Sequence, residues 1–296
     1  MSIPLNAAPG AELPKSGRLS RLRAGLALVV ENRSALVGLV CVSLLLLVAL
    51  FAPLIAPYEV DAFTDGVLEG PSWMHPFGID QIGRDVFSRV VEGTRISLAV
   101  GLLAVTISLV AGTIIGLLAG YYGGMVDSVL MRAMDIVLAL PYVLMAVLIA
   151  AILGPSLQNG IIAIGLVRIP RFARVVRGAT MSVAQLQYVE AARSIGASDF
   201  RIILHEILPN ILGPLIVYFT LSLGDAILAA AVLSFLGLGA QPPMPEWGAM
   251  LNEAQRYLTT LPFLSVFAVI FIFVTVLSFN LLGDGLRDVL DPKSRR

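Results

Sequence analysis

The chain has 296 residues, of which 57% are hydrophobic and only 14% are charged, and its formal net charge at pH 7 is zero. Soluble domains carry roughly 25% charged residues, so this composition excludes a soluble globular protein and indicates an integral membrane protein. The single cysteine, Cys41, excludes an intrachain disulfide and a CxxC-type site, and the two histidines, His75 and His205, are far apart in the chain. We therefore expect no metal site.

A basic leader at 1–33 precedes the first apolar run. That run is about 22 residues long, whereas the apolar region of a cleaved signal peptide has roughly 7–15 residues, and no small-residue cleavage pattern comes after it. We interpret 34–56 as a retained first transmembrane helix.

Six apolar runs are candidates for transmembrane helices, which need about 20 residues each. The fourth is the weakest, because its purely apolar part is short and Pro170 interrupts it. We predict an all-α integral membrane protein with six transmembrane helices and a core transmembrane domain at 96–283. The runs are Ala35–Ile55, Ile96–Leu118, Val129–Leu153, Asn159–Phe172, Ile211–Leu236 and Leu261–Leu282.

Positive charge is distributed unevenly between the two sides of this topology. If the N-terminus is inside, 16 of the 20 Lys and Arg residues fall in inner segments or at inner span ends, and four fall outside. Inner segments of membrane proteins carry an excess of Lys and Arg. We therefore predict that both termini are cytoplasmic, including a tail at 284–296.

The largest predicted extracytoplasmic loop is 57–95. From Gly83 onward its pattern predicts an amphipathic helix at the outer membrane surface that leads into the second span. A solvated lid and a direct role toward a substrate both remain open for this loop. A short helix is also predicted around Trp247–Tyr257, in the outer loop between the fifth and sixth spans. The amphipathic helix would have Val86, Phe87, Val90 and Val91 on its apolar side and Asp85, Arg89 and Glu92 on its polar side.

Several charged residues within or beside the predicted spans are further candidates. Asp135 comes three residues after Arg132, a spacing that lets the two pair on one helix face, either as a structural ion pair or as part of a gate. Asp225 is the single acid in the fifth apolar run, and it suits a functional site in the pathway as well as a hydrogen-bonding position between helices. Four arginines recur every three residues at an inner span end, which favours headgroup contacts or a place at the inner mouth over a voltage sensor; they are Arg168, Arg171, Arg174 and Arg177.

The segment 190–209, EAARSIGASDFRIILHEILP, has the pattern of a helix–turn–helix between two spans. Gly196 can end the first helix in the left-handed conformation, and Ser198 or Asp199 can cap the second. Pro209 either stops the second helix or lies in the first turn of the next helix. In the predicted topology this amphipathic hairpin is cytoplasmic and accessible to a soluble partner.

The sequence lacks the motifs that would give the chain an enzymatic activity. It contains no GxxxxGK[ST] loop, no HExxH, and no Ser or Cys nucleophile with a histidine beside it. We expect no catalytic residues and no cofactor. Transport against a gradient would then depend on an ion gradient or on a partner that hydrolyses ATP.

The hairpin also carries a resemblance to a known family. Its spacing resembles that of the EAA loop of ABC importer permeases, in which short helices dock into a cleft of the ATP-binding subunits, although Glu206 departs from the usual apolar residue. The matching positions are Glu190, Ala191, Ala192, Gly196, Ile207, Leu208 and Pro209. Further stretches are similar to the second, C-type, permease of the dipeptide/oligopeptide/nickel group and to glutathione permeases; they are 75–98, 120–141, 233–254 and 280–292.

The resemblance implies a type I ABC importer permease fold in a bacterial cytoplasmic (inner) membrane. The implied partners are a homologous second permease subunit, two ATP-binding subunits, an extracytoplasmic solute-binding protein and the lipid bilayer, with no nucleic acid. The resemblance assigns the coupling hairpin to 183–209, where Gly196 would fix the turn and Phe200 and Ile203 would fill a groove of the ATPase. The implied coupling residues are Glu190, Ala191, Ala192, Gly196, Phe200, Ile203 and Pro209.

Two other classes of protein fit the sequence less well than an importer permease for peptides or related small solutes. An ion-coupled secondary transporter would need acids inside the membrane, and only Asp225 lies well inside a span. Such carriers are also commonly built from inverted repeats, and none is evident here. A channel or membrane scaffold would give no account of the hairpin.

Overall fold

The computed structural model describes residues 32–290, and the remainder of the predicted leader and tail, at 1–31 and 291–296, lies outside the described residues. The described part is helical, as predicted, apart from loops, one isolated β-bridge and a short 3₁₀ turn at Gln255–Tyr257. The helices are α1 (Arg33–Ile55), α2 (Val86–Tyr122), α3 (Gly124–Leu138), α4 (Tyr142–Leu153), α5 (Leu157–Ala184), α6 (Gln187–Ser194), α7 (Asp199–Phe235), α8 (Trp247–Ala254) and α9 (Phe263–Leu290).

Four of the described helices, α1, α2, α7 and α9, are long and apolar enough to cross a membrane, and α3 with α4 makes five if the two form one broken span. α3 and α4 are bent by 85° relative to each other, so the predicted third span over Val129–Leu153 is not one continuous helix. Pro141 explains the bend, because proline has no N–H to donate and disfavours the helical conformation at Leu140.

α5 is longer than the weak fourth run that predicted it, and it continues through Pro170 without a break. It packs along α2 through glycines spaced four residues apart, an arrangement that lets two helix backbones approach closely. A Cβ atom at Gly112 would overlap Cβ of Phe172, and one at Gly116 would lie 2.6 Å from the carbonyl oxygen of Ala173. The α2–α5 interface therefore depends on residues without side chains.

α1 and α9 also pack closely through a glycine, and the start of α1 lies beside the end of α9. A Cβ atom at Gly38 would overlap the backbone of Leu282. At the start of α1, Asn32 Nδ2 donates to Asp288 Oδ2 at 3.2 Å. α9 extends to Leu290, so the first residues of the predicted tail at 284–296 are helical.

The start of α2 differs from the predicted amphipathic helix at the membrane surface. Asp85 accepts a hydrogen bond from the backbone N–H of Ser88 at 2.7 Å, and from this cap α2 runs without a break to Tyr122. Val90 is fully buried, but so is Arg89, which is 1% exposed. The predicted solvated polar side is therefore wrong for Asp85 and Arg89, which are both buried.

The short helix predicted around Trp247–Tyr257 is confirmed as α8, which folds back against α2 and α7. The indole Nε1 of buried Trp247 donates to the carbonyl oxygen of Val90 at 3.0 Å. A Cβ atom at Gly248 would overlap the backbone of Ala231 in α7. This close contact fixes the end of the bundle opposite the hairpin, which we call the outer end because the predicted topology places it outside.

Candidate functional site

The predicted helical hairpin is present, and Gly196 forms its turn. α6 ends at Ser194, and Gly196 has φ +81, the left-handed conformation predicted for it. The N–H of Ala197 donates to the carbonyl oxygen of Ala192 at 3.1 Å, which closes the end of α6. The hairpin is therefore a defined turn between two helical arms.

The second arm of the hairpin is continuous with the next span. α7 begins at Asp199 and runs to Phe235, with a π-helical stretch at Ile202–Ile207 in which the N–H of Leu208 donates to the carbonyl oxygen of Ile203. Pro209 comes next, at the start of the α-helical part, and does not stop the helix. The missing N–H of Pro209 lies where the helix already departs from the regular bonding pattern. The arm and the span thus form one helical body.

An apolar cluster lies beneath the hairpin and seats it on α2 and α5. Ile203 belongs to this cluster and is 9% exposed, so the prediction that it fills a partner's groove is wrong. The π-helical stretch widens the turn by one residue and changes which side chains face inward. The buried members of the cluster are Leu117, Val176, Val189, Ile202, Ile203, Ile207, Ile211 and Leu215.

The opposite face of the hairpin exposes apolar side chains. Phe200 is 73% exposed, and Ile195, which the sequence pattern did not single out, is 86% exposed. Ile195 directly precedes the turn glycine and does not lie on the apolar side of either helix of the hairpin. An apolar residue at such a turn is the sequence signal that could have identified it. Of the other predicted coupling residues, Ala192 is half-buried; Glu190, Ala191, Gly196 and Pro209 are exposed.

Polar contacts hold the hairpin against the end of α2. The hydroxyl of Tyr121 donates to Asp199 Oδ1 at 2.7 Å. The guanidinium of Arg193 lies 4.8 Å from the centroid of the Tyr121 ring, within the range of a cation–π contact. One tyrosine therefore contacts both arms and limits their separation.

The predicted pairing of Arg132 with Asp135 does not occur. Asp135 accepts a hydrogen bond from Arg174 of α5 at 2.5 Å, and Arg177 pairs with Asp127. Arg132 is exposed and has no ion pair with the described residues. The acids of α3 thus neutralise two of the four spaced arginines, which were expected to contact headgroups or line the inner mouth.

Arg168, the first of these arginines, pairs with the other candidate acid, Asp225. Arg168 is 3% exposed, and its Nη2 lies 3.2 Å from Asp225 Oδ2. The side chain of Asp225 is 52% exposed. The ring of Tyr142, at the start of α4, lies 5.9 Å from the Arg168 guanidinium carbon. The structure therefore connects Asp225 to α5 and to the bend between α3 and α4.

A buried charge network occupies the outer end, and sequence reasoning did not identify it. Arg84 donates to Asp80 at 2.7 Å and to Glu253 at 2.6 Å, and Arg89 lies 3.3 Å from Glu253. Arg89 also donates to the carbonyl oxygen of Pro243 at 3.2 Å. The network joins the loop before α2 to α8. Within residues 32–290, no group of three or more His, Cys, Asp or Glu side chains could hold a metal ion.

Glu246 is a second buried charge-bearing group at this end. It is 1% exposed, and burial raises the pKa of its carboxyl group above the ordinary value. Its oxygens accept hydrogen bonds from the N–H of Ala249 at 3.0 Å and from the hydroxyl of Ser97 at 3.3 Å. Glu246 therefore caps α8 and ties it to α2.

Two families of known proteins match this chain. Residues 112–296 match the family described as the binding-protein-dependent transport system inner membrane component. Residues 29–71 match the N-terminal TM domain of oligopeptide transport permease C. Together the matches include the hairpin, α5, the Arg168–Asp225 pair and the first span.

Individual relatives are similar over most of their length. The glutathione transport system permease protein GsiD of Escherichia coli O6:K15:H31 is 52% identical over 265 residues, covering 89% of this chain and 88% of that protein. The GsiD protein of Pectobacterium atrosepticum is 49% identical over 254 residues, covering 85% of this chain and 84% of that protein. The dipeptide transport system permease protein DppC of Alkalihalophilus pseudofirmus is 48% identical over 266 residues, covering 90% of this chain and 88% of that protein.

A solved structure shares the fold. A chain of the MetNI methionine ABC transporter, in an inward-facing crystal form, superposes with a TM-score of 0.54 at 20% sequence identity, covering 68% of this chain and 96% of that chain. The helical bundle with its hairpin is thus the transmembrane fold of an ABC importer. The chain belongs to the binding-protein-dependent transport system inner membrane component family and is a multi-pass inner-membrane permease of an ABC importer that works with ATPase subunits.

Proposed function

We propose that this permease forms half of the translocation pathway of an importer for peptides or glutathione-like solutes, and that segment 183–209 couples it to the ATPase. The functions of the relatives, glutathione and dipeptide transport, support the solute class. The hairpin supports the coupling role, because its inner side packs firmly against the bundle and its outer face exposes apolar side chains.

The observation that carries the coupling proposal is the continuity of α7. A helix that runs from Asp199 in the hairpin to Phe235 at the other end transmits a displacement without a flexible joint. The buried cluster and Tyr121 hold the hairpin to α2 and α5, so a movement of the hairpin also moves those helices. Ile195 and Phe200 supply the apolar surface for a groove on the ATP-binding subunit.

The proposed topology has six spans and both termini in the cytoplasm. α5 serves as the fourth span, since its 28 residues give a length of about 42 Å, more than the roughly 30 Å of a bilayer core. The contact of Asn32 with Asp288 brings the start of α1 beside the end of α9, which fits an even number of crossings. The excess of basic residues on this side supports its cytoplasmic location.

The proposed partners are one homologous second permease, two ATP-binding subunits and an extracytoplasmic solute-binding protein. Asp225 supports the second permease, because a half-exposed carboxylate within an apolar span requires cover by protein or by a water-filled path. The locked outer end, with α8 folded back on the bundle, is the proposed platform for the binding protein.

The coupling proposal is tested with the assembled transporter in proteoliposomes. Gly196→Pro is incompatible with φ +81, because proline fixes φ near −65°, and Glu190→Lys reverses an exposed charge on α6. We expect both variants to insert in the membrane and to lose ATP-driven uptake, whereas Glu59→Lys, an equivalent charge reversal at an exposed outer position, keeps it. Full uptake with either hairpin variant, or uptake that needs no ATP, would contradict the proposal.

A further inference from the structure

Arg168, Asp225 and Tyr142 lie at the same depth in the helical bundle. Arg168 comes eleven residues after Leu157 at the start of α5, and Asp225 precedes Phe235 at the end of α7 by ten. Tyr142 is eleven residues before the end of α4. At 1.5 Å per residue each lies about 15–17 Å from those helix ends, close to half the thickness of a bilayer core.

These helix ends are at one side of the molecule. The loop between α4 and α5 is short, and a Cβ atom at Gly160 near the start of α5 would lie 3.6 Å from Gly239 in the loop after α7. Arg168, Asp225 and the bend before Tyr142 therefore converge near the middle of the membrane, consistent with the contacts between their side chains.

Arg168 has a hydrogen-bond donor that no described residue uses. Its Nη2 pairs with Asp225, but its Nη1 is buried and has no partner within residues 32–290. A guanidinium presents its donors as a planar fork that matches both oxygens of a carboxylate. The single bond at 3.2 Å to Asp225 leaves this fork half occupied. A buried donor of a charged group without an acceptor is costly, so the arrangement is incomplete in the isolated chain.

The bend between α3 and α4 adds two further sources of positive potential. Arg171 lies 5.0 Å from the centroid of the Tyr142 ring, next to Arg168 at 5.9 Å. α4 begins at Tyr142 without a side-chain cap, and its first bond joins the N–H of Met145 to the carbonyl oxygen of Pro141. The preceding amides of the first turn have no acceptor within the helix, which favours an anion there. In secondary transporters, the N-terminal ends of half-helices near the membrane midplane have this role.

We propose that Arg168, with Arg171 and the start of α4, forms a station for a carboxylate group of the passing solute, and that Asp225 is the carboxylate it replaces. Asp225 is suited to this exchange, because its side chain is half exposed and holds Arg168 by one hydrogen bond. A solute carboxylate that accepts from both Nη atoms would release Asp225 toward the pathway, where it can attract the ammonium group of a peptide. The inference rests on the proposed solute class, since peptides and glutathione carry free carboxylates.

The test compares uptake of one peptide with a free C-terminus and the same peptide amidated, in proteoliposomes with the full transporter and saturating binding protein. The same binding protein serves all variants, so a change in the ratio of the two uptake rates belongs to the permease. We expect Arg168→Gln to lower the ratio of free acid to amide about tenfold, the size expected for a charge-assisted pair. Arg174→Gln, which removes a pair half exposed on the same helix, is expected to leave the ratio within about twofold.

An unchanged ratio in Arg168→Gln would overturn the proposed carboxylate station and leave the Arg168–Asp225 pair as a structural contact. If that variant does not assemble, Arg168→Gln with Asp225→Asn removes both charges and is scored in the same way, with the same expected loss. Failure of the unaltered transporter to import either peptide with ATP would contradict the proposed solute class itself, a result distinct from an unchanged ratio.

Discussion

Each end of the permease is stabilised by a different kind of interaction. At the outer end, Arg84 and Arg89 are almost completely buried and pair with Asp80 and Glu253. At the hairpin end, the contact between the hairpin and the bundle is an apolar cluster around Ile207, and the charged groups lie at its margin.

This difference indicates that the ends have different tasks. A buried charge network tolerates little displacement, because each ion that loses its partner remains in a medium of low polarity. The apolar cluster beneath the hairpin, which forms its apolar seat, lacks such directional bonds. It keeps the hairpin packed while the hairpin's outer face remains available to a partner. The outer end is thus fixed within itself, and the hairpin end is built for contact.

The largest effect is expected when a shared acid is removed from the outer end. Glu253→Ala leaves Arg84 and Arg89 buried without their common partner, which typically costs about 3–5 kcal/mol of stability. The thermal unfolding midpoint of the detergent-solubilised transporter would measure this loss. Glu92→Ala, which removes a more exposed pair with Arg95, should cost less than about 1 kcal/mol. Equal costs for the two variants would contradict a special role for the outer network.

A somewhat smaller loss is expected from the apolar seat. Ile207→Ala removes a fully buried side chain beneath the hairpin and should cost about 2–5 kcal/mol, with lower uptake because the hairpin loosens. Ile195→Ala is the matched control, since that side chain is 86% exposed and its loss should change stability by no more than about 0.5 kcal/mol. Hydrogen exchange of the hairpin amides in both variants measures the loosening; equal protection would argue against the seat.

The exposed face should affect binding and leave folding unchanged. Phe200→Ser removes a side chain that is 73% exposed, so stability should stay within about 0.5 kcal/mol while the affinity of the permease for the ATPase subunits falls about tenfold, a typical hot-spot effect. Co-purification of the ATPase subunits at increasing detergent and salt measures the affinity. Retention equal to that of the unaltered chain would show that Phe200 is not part of the contact.

The smallest effect is expected from the turn. Gly196→Ala introduces a side chain at φ +81, which costs about 1 kcal/mol, and uptake should fall by less than about tenfold. Gly70→Ala adds a methyl group with nothing within 4 Å and should have no effect. Peptide uptake in proteoliposomes distinguishes the two, and equal rates would mean that the turn tolerates strain.

The sequence predicted the helical class, the hairpin and its glycine turn, because these depend on local chemistry. Long apolar runs require helices in a membrane, and Gly196 is suited to a left-handed turn. The side on which Ile203 points depended on a π-helical stretch that no local pattern indicates. The 85° bend at Pro141 had a local signal, a proline within an apolar run, which the length of the run concealed.

The ion pairs between different helices were not predictable, because they join residues far apart in the chain. Asp135 has a basic neighbour at a suitable helical spacing, Arg132, yet it pairs with Arg174 of another helix. The pairing of Asp80 with Arg84 had a local signal in its spacing of four residues, but Glu253 is contributed by a distant segment. Which charges meet is decided by helix packing, and that depends on glycines such as Gly112 and Gly116 whose partners the sequence does not specify.

We propose that the hairpin and the span of α7 move as one helical body. Three glycines inserted between Leu208 and Pro209 would break this continuity and leave the hairpin's exposed face intact. ATP hydrolysis and peptide uptake measured together in proteoliposomes should then separate: hydrolysis continues while uptake falls to background. The same insertion between Gly70 and Pro71, in the exposed outer loop, should leave both rates unchanged. Full uptake with the insertion at Leu208 would contradict the claim.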